Sequence, residues 1–376
     1  MPDASHVVIV NAVSSTFGGG ITVARSLSAA MARLRPSIRM LLYYSHEEVG
    51  RFDYPGNVEL IHLPELISRP RRWWWEQTAL PGEAKRRHAD ALLLLGGFAC
   101  FRSALPQVAV WQNATIFAAA PVKRPWREDL YIGVQRRVQG ASMRRVADNV
   151  FLTRDSIEVA SRCWPLDEIP HRFIHSGVDL EGLSVAEPAA PEDREDFALS
   201  IGHTYYHKNY GAMIDAMARY RERFGNAPPL EIVGAAYDAA HHAFLEARIR
   251  ERGLEGQVRM VGLAGREEVA RALARARVYV VTSVLETFGL TVLEAMGAGV
   301  PVVASNATCL PEVCGDAALY CDPRDPDDIA HKLHRVTSDL ELQLDLQQRG
   351  LARVQHFSWE RSAEEYLSAL EAAAEA

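Results

Sequence analysis

Short runs of Val, Ile and Leu ending in Gly, Ser or Asn alternate along the chain with longer stretches of helical spacing. This is the pattern of strands buried on both faces and joined by helices, hence of parallel sheets. In the first half the strand-like runs are residues 6–12, 38–44, 58–63, 91–95, 107–111, 149–152 and 172–175, with helical stretches such as 21–35, 72–88 and 128–145 between them. Residues 183–196 are rich in Pro, Ala and acid without a hydrophobic period, and are expected to form a linker. A second series follows, at 197–201, 230–233, 258–261, 278–282, 300–304 and 317–320. The fold class expected is α/β, with two doubly wound domains at 1–182 and 197–357. A last helix at 358–376, with Ser358 as N-cap, is expected to pack back on the first domain. In such sheets ligands sit at the carboxyl ends of the strands, so a site in a cleft between the domains is expected.

Composition narrows the class. The 376 residues are 48% hydrophobic and 24% charged, as in ordinary globular proteins. No apolar run approaches the roughly 18 residues of a membrane-spanning helix. The best run, 92–101, is broken by Gly96 and Gly97. The amino terminus lacks a basic start and a small-residue cleavage pattern, so a cytoplasmic location is expected. Five scattered cysteines without a C-x-x-C pair read as buried reduced thiols. Residues 1–180 carry 22 Lys and Arg against 17 Asp and Glu, net +5, and the remainder is net −12. The basic half suits an anionic acceptor or the inner face of a membrane. Nothing resembles a zinc-finger, RNP-type or basic-helix pattern, so no nucleic acid partner is expected.

The chemistry concentrates in residues 283–304, SVLETFGLTVLEAMGAGVPVVA. A buried strand runs into a loop holding Glu286, and Gly289 marks the start of a helix with Leu290, Leu293 and Met296 on one face and Glu294 within it. Amides of Phe288, Gly289 and Leu290 would form a helix N-terminus that favours a phosphate. Two carboxylates beside a phosphate site fit a ligand with hydroxyl donors, such as a sugar. The plainer reading is two ordinary surface glutamates. Lys208 stands at a loop-to-helix junction, an unfavourable end for a cation on dipole grounds unless it neutralises an anion. Phe17 and the run Gly18, Gly19, Gly20 follow the first strand. They are not G-x-G-x-x-G, and no acidic residue placed to hold a ribose ends the second strand, so a dinucleotide site is poorly supported. Asp325 and Asp327 read as a capping loop rather than a metal site, and His241–His242 lacks further ligands; no metal or cofactor is expected. No G-x-S-x-G elbow supports a hydrolase.

The 283–304 stretch resembles the signature of glycosyltransferase family 4, retaining enzymes of the GT-B fold that use nucleotide sugars. Residues 200–217, SIGHTYYHKNYGAMIDAM, and 310–330, LPEVCGDAALYCDPRDPDDIA, resemble the segments on either side of it in that family. In the first half the resemblance rests on 17–27, 75–94 and HSGVD at 175–179. It implies hexosyl transfer, with mannose from GDP-mannose favoured over UDP-linked sugars, to a hydroxyl of a glycan or lipid-linked glycan in polysaccharide synthesis. Lys208 and the helix tip would hold the donor diphosphate, Glu286 the sugar hydroxyls and Glu294 the ribose, so that Glu286 and Lys208 carry catalysis. Gly19 and Gly20 would approach the donor phosphate or the acceptor, and Asn113 stands where relatives often carry a histidine. His203 stands just after Gly202, where the family often has arginine. A protonated His203, or Tyr205, Tyr206 or His207, could fill that place. These departures keep open a catalytically silent nucleotide-sugar-binding subunit, and the fold also serves nucleotide-sugar epimerases. Loss of transfer with folding intact is expected for Lys208→Ala and Glu286→Ala.

Two basic series suggest peripheral membrane contact: Arg69 to Arg87 with Trp73, Trp74 and Trp75, and Lys123, Arg124, Arg127, Arg136, Arg137, Arg144 and Arg145. The W-E-Q segment also resembles a recurring piece of the family, which implies that at least one of these tryptophans is core.

Overall fold

A computed structural model describes residues 6–113, 126–180 and 188–375. Residues up to Gly177, together with Phe357 onward, form one compact unit, and Val178–His356 form a second.

In the first unit seven parallel strands are described: β1 (Val7–Ala12), β2 (Arg39–Tyr44), β3 (Val58–His62), β4 (Ala91–Leu94), β5 (Gln107–Trp111), β6 (Asp148–Phe151) and β7 (His171–Phe173). Their order is β3-β2-β1-β4-β5-β6-β7, which reverses between β1 and β4. The middle strands are buried along their whole length, which is why they read as continuous apolar runs rather than as alternation. Where one helix is expected at 72–88, two occur, Arg69–Thr78 and Leu80–Arg86. Pro81 has no N–H to continue the ladder, so the chain restarts a helix with Pro81 in its first turn. The helix Trp359–Glu375 packs on the helix Gly18–Leu34, and the Ser358 hydroxyl accepts from the Arg361 amide at 3.1 Å.

The second unit holds β8 (Glu195–Ile201), β9 (Leu230–Val233), β10 (Val258–Gly262), β11 (Ala276–Val281), β12 (Val302–Ser305) and β13 (Leu319–Cys321). All are parallel, in the order β10-β9-β8-β11-β12-β13, reversing between β8 and β11. The strand expected at 300–304 begins two residues later because Pro301 cannot donate to a neighbour. Each unit is a Rossmann-like α/β domain with an all-parallel sheet.

The stretch read as a linker differs from a solvated tether over its described part. Arg194 is buried, and its guanidinium donates to the carbonyls of Leu273, Ala274, Ala276 and Ala298 at 2.7–3.2 Å. Composition marked this segment as polar, but the polar head is spent inside the second unit.

Candidate active site

At a reversal of strand order, the two flanking helices leave on opposite faces of the sheet, opening a crevice at the carboxyl ends of the strands. In the second unit that place lies between β8 and β11. The loop after β8 carries His203 to Asn209, and the loop after β11 carries Thr282 to Gly289.

These loops are stitched together by groups that sequence reasoning passed over. The Val284 amide donates to His207 O at 2.9 Å, and the Thr282 hydroxyl donates to Lys208 O at 3.2 Å. Asn209, held left-handed at φ 58°, sends its amide nitrogen to Thr282 O and Pro323 O. Tyr210 donates from its hydroxyl to Gly202 O at 2.8 Å. The strand ends approach closely: a Cβ on Gly234 would lie 2.1 Å from Gly202 O, and one on Gly202 3.1 Å from the Lys208 Cε. Glycine at both positions lets the lysine stem cross the end of β8.

The result is a fixed ion pair. Lys208 Nζ donates to Glu286 Oε1 at 2.5 Å, with the two side chains only 16% and 12% exposed. Ser283 donates to the same oxygen at 3.0 Å, so both bonds fall on Oε1 and none on Oε2 among the described residues. Burial pushes the Glu286 carboxyl up, but the Lys208 charge and the Lys208 and Ser283 hydrogen bonds outweigh it and hold the group below the usual carboxylate range. Burial holds His207 down at about 4. His203 is lowered by burial and by Lys208, and its Nδ1 accepts from the Ala235 amide at 3.0 Å. A protonated His203 in place of an arginine does not fit this geometry: Nδ1 must keep its lone pair, and a contact to phosphate would have to come from a neutral Nε2–H.

The helix Leu290–Gly297 starts beside this pair. Its N-cap, Gly289, sits at φ 90°, a left-handed conformation that glycine adopts without strain, and a Cβ there would come within 3.1 Å of Leu310. Tyr279 donates to the Thr291 hydroxyl at 2.8 Å, tying the first turn to β11. The amides of Gly289, Leu290 and Thr291 make no hydrogen bond among the described residues, so the positive end of the dipole is presented there. Phe288 is buried. Glu294 lies one turn into the helix, half-buried. The second unit thus joins Lys208 to Glu286, with His203 close enough to feel the Lys208 charge and residues 288–290 following Glu286 into the helix on which Glu294 also lies.

Gly19, Gly20 and Asn113 belong to the first unit. Gly19 and Gly20 lie in the first turn of the helix Gly18–Leu34 that follows β1, and Asn113 lies just beyond β5. Below that edge is a group the sequence concealed. Glu76, on the buried face of the helix Arg69–Thr78, accepts from Asn11 of β1 at 2.9 Å, and burial raises its carboxyl to about 7 against the opposing effects of Asn11 and Arg72. The signal was an acid inside the tryptophan run. Because the folded pKa lies above the unfolded value, the stability it contributes is complete below about pH 4.5 and is lost as pH rises through 7, roughly 3 kcal/mol in all. Glu76→Gln keeps a carbonyl for Asn11. It is expected to melt like wild type near pH 4.5 and to be more stable by about that amount near pH 8. Parallel pH profiles for the two proteins would show that Glu76 is not the group responsible.

No group of three or more His, Cys, Asp or Glu is arranged to hold a metal among the described residues. No helix among them is long and apolar enough to cross a membrane.

Comparison with known proteins bears on this site directly. Residues 186–353 match the family model described as glycosyl transferases group 1. Over 176 residues the chain is 46% identical to O-antigen chain mannosyltransferase B from Escherichia coli, covering 46% of this chain and 45% of that protein. The match thus spans about half the length of the curated relatives. Among solved structures, sucrose-phosphate synthase from Thermosynechococcus elongatus superposes with a TM-score of 0.79 at 20% identity, covering 96% of this chain and 98% of that one. HepE from Anabaena, solved in complex with UDP and glucose, superposes with a TM-score of 0.72 at 17% identity, covering 98% and 100%. At these identities the likeness is one of fold.

Proposed function

We propose, from the match of residues 186–353 to the glycosyl transferases group 1 model, that this chain transfers a hexosyl group, mannosyl in preference, from a nucleotide diphosphate sugar to a hydroxyl of a glycan or lipid-linked glycan, with retention of anomeric configuration. The observation that carries the proposal is the Lys208–Glu286 pair, set where the strand order reverses and beside the start of the helix Leu290–Gly297.

In this reading the donor's diphosphate lies against the helix tip and the remaining N–H groups of Lys208. The bond between the anomeric carbon and the diphosphate oxygen breaks, and negative charge grows on the departing nucleotide. Lys208 and the amides of Gly289 and Leu290 meet that charge as it develops, which lowers the barrier more than it tightens ground-state binding. Glu286, already ionised, uses Oε2 to accept from a donor-sugar hydroxyl while Oε1 stays tied to Lys208. Glu294 accepts from the ribose. The acceptor oxygen bonds to the anomeric carbon on the face the diphosphate leaves, and its proton passes to a leaving phosphate oxygen. No protein nucleophile is needed, unlike the paired acids of retaining glycosidases. Preference for mannose rests on the likeness to the O-antigen mannosyltransferase.

Incubation of the purified chain with GDP-mannose and a panel of UDP-sugars, with and without manno-oligosaccharides or a lipid-linked glycan, tests the proposal. Acceptor-dependent release of nucleotide diphosphate and a product keeping the donor's anomeric configuration are expected. Conversion of the donor without an acceptor would favour epimerisation, and donor binding without turnover a silent subunit; either outcome would overturn transfer.

A further inference from the structure

Beside the loop that delivers Lys208, the carboxyl end of the second sheet carries a row of aromatic rings that the proposed reaction does not use. The Tyr237 amide donates to the Thr204 hydroxyl at 3.3 Å, which ties the loop after β9 to the loop after β8. Tyr205 packs on Tyr237 with ring centroids 4.1 Å apart, and Tyr206 packs on His241 at 3.9 Å. His241 in turn stacks on Phe244 at 5.9 Å, one turn further along the helix Ala239–Glu251. The rings are thus held by one another, while Tyr206, Tyr237 and Phe244 remain 49%, 46% and 51% exposed.

Scattered exposed apolar side chains are ordinary, but three half-exposed rings on one packed row form a surface that calls for a partner. Charge selects its class. Residues 203–207 and 235–247 contain no Lys or Arg, and their only acids are Asp238 and Glu246. Asp238 is spent as the N-cap of the helix, accepting from the His241 amide at 2.7 Å. Burial lowers His203, His207 and His241, so these imidazoles are neutral at neutral pH. A nucleic acid or an acidic lipid surface needs cations that this row does not offer, since Arg248 beside Phe244 is committed to Asp215. A wholly apolar partner fits no better. His241 is only 7% exposed, and neither of its ring nitrogens has a hydrogen-bond partner among the described residues. A neutral imidazole there calls for both a donor and an acceptor, and an apolar partner supplies neither. A neutral partner with C–H faces and many hydroxyls meets both demands, because pyranose rings stack on aromatic rings and their hydroxyls donate and accept. From this juxtaposition we infer that Tyr206, Tyr237 and Phe244, set over His241, bind a glycan at sugar units remote from the reacting hydroxyl. The inference rests on the proposed transfer to a glycan, and adds to it a surface that holds the chain of an extended acceptor. Since the rings are fixed in advance, little ordering entropy opposes each stack.

Calorimetric titration of linear hexasaccharides of mannose, glucose and galactose, and of the matching methyl glycosides, into the full chain without donor tests the inference. At least one hexasaccharide should bind about tenfold or more tighter than its methyl glycoside. Phe244→Ala and Tyr206→Ala should each weaken that binding about fivefold or more, the scale of one aromatic stack. Phe244→Ala should leave the affinity for GDP and UDP unchanged, so that a loss confined to the glycan reports the row rather than the fold. Hexasaccharide binding equal in wild type and both variants, or none to folded wild type, would overturn the inference. So would a self-associating wild type whose association Phe244→Ala abolishes, because a second copy would then cover the row. Neither donor nor turnover enters the titration. A chain that transfers sugar to short acceptors but binds no hexasaccharide loses this inference alone, and one that binds through these rings without transferring loses only the proposed transfer.

Discussion

Replacing Lys208 by methionine is expected to reduce sugar transfer by about two to three orders of magnitude, the scale seen when a preorganised donor to developing charge is removed. The same change is expected to cost about 3 kcal/mol of stability, because the buried Glu286 carboxyl would lose the cation that offsets its burial. From sequence alone, loss of activity with folding intact was the expectation. The observed pair revises it, since neither partner can be removed singly without consequence. Glu286→Gln should be destabilising for the mirrored reason, leaving the ammonium without its carboxylate. The combined variant, Lys208→Met with Glu286→Gln, separates the two roles. It should recover most of the lost stability in denaturant titrations while staying inactive in nucleotide-release assays. Activity close to wild type in that double variant would remove the pair from the mechanism.

The second large effect belongs to Arg194. Three of its hydrogen bonds reach the carbonyls of Leu273, Ala274 and Ala276 at the end of the helix Arg266–Arg275, and the fourth reaches Ala298, which closes the helix Leu290–Gly297. A cation at two helix C-termini is electrostatically well placed and satisfies carbonyls that the helices themselves leave open. Burial lowers the guanidinium to about 10, so it remains charged at neutral pH. Arg194→Met should therefore destabilise the second unit by roughly 3 kcal/mol or more, since buried acceptors lose a charged donor. Arg194→Lys should recover only part, because one ammonium cannot divide itself between two helix ends as the guanidinium fork does. Because the helix Leu290–Gly297 begins at the Lys208–Glu286 site, the methionine variant should also weaken nucleotide binding. A denaturation midpoint within error of wild type would contradict this account of the segment.

What the sequence made legible follows from which forces dominate locally. Strands such as β1, β5 and β12 are buried on both faces, so their apolar runs were visible without any partner in view. Lys208, Glu286 and Gly289 stood out because their residue types are misplaced for a bland helix start and because their surroundings resemble a known family. The contacts made by Asn209, Ser283, Tyr210 and Arg194 were not legible. Each spans a long stretch of chain or depends on a loop conformation, and neither leaves a period in the sequence. Asn209 shows this well: its side chain reaches Pro323, 114 residues away. Glu76 was hidden for the opposite reason. A charged residue in a Trp- and Arg-rich helix reads as solvated, and only the inward rotation of that helix shows that it is buried beside Asn11. Of the two basic series, Lys123 and Arg124 lie outside the described residues, and the side chain of Arg127 is likewise not described.

The central claim is that an ammonium and a helix tip in the second unit hold the diphosphate of a nucleotide sugar. Calorimetric titration of GDP and of UDP into the wild-type chain and into the Lys208→Met, Glu286→Gln double variant tests it most directly. One of the two nucleotides should bind the wild type, and the folded variant should bind it at least about tenfold more weakly, a difference of about 1.4 kcal/mol. Equal affinity in the two proteins, or no heat with either nucleotide from folded wild type, would contradict it.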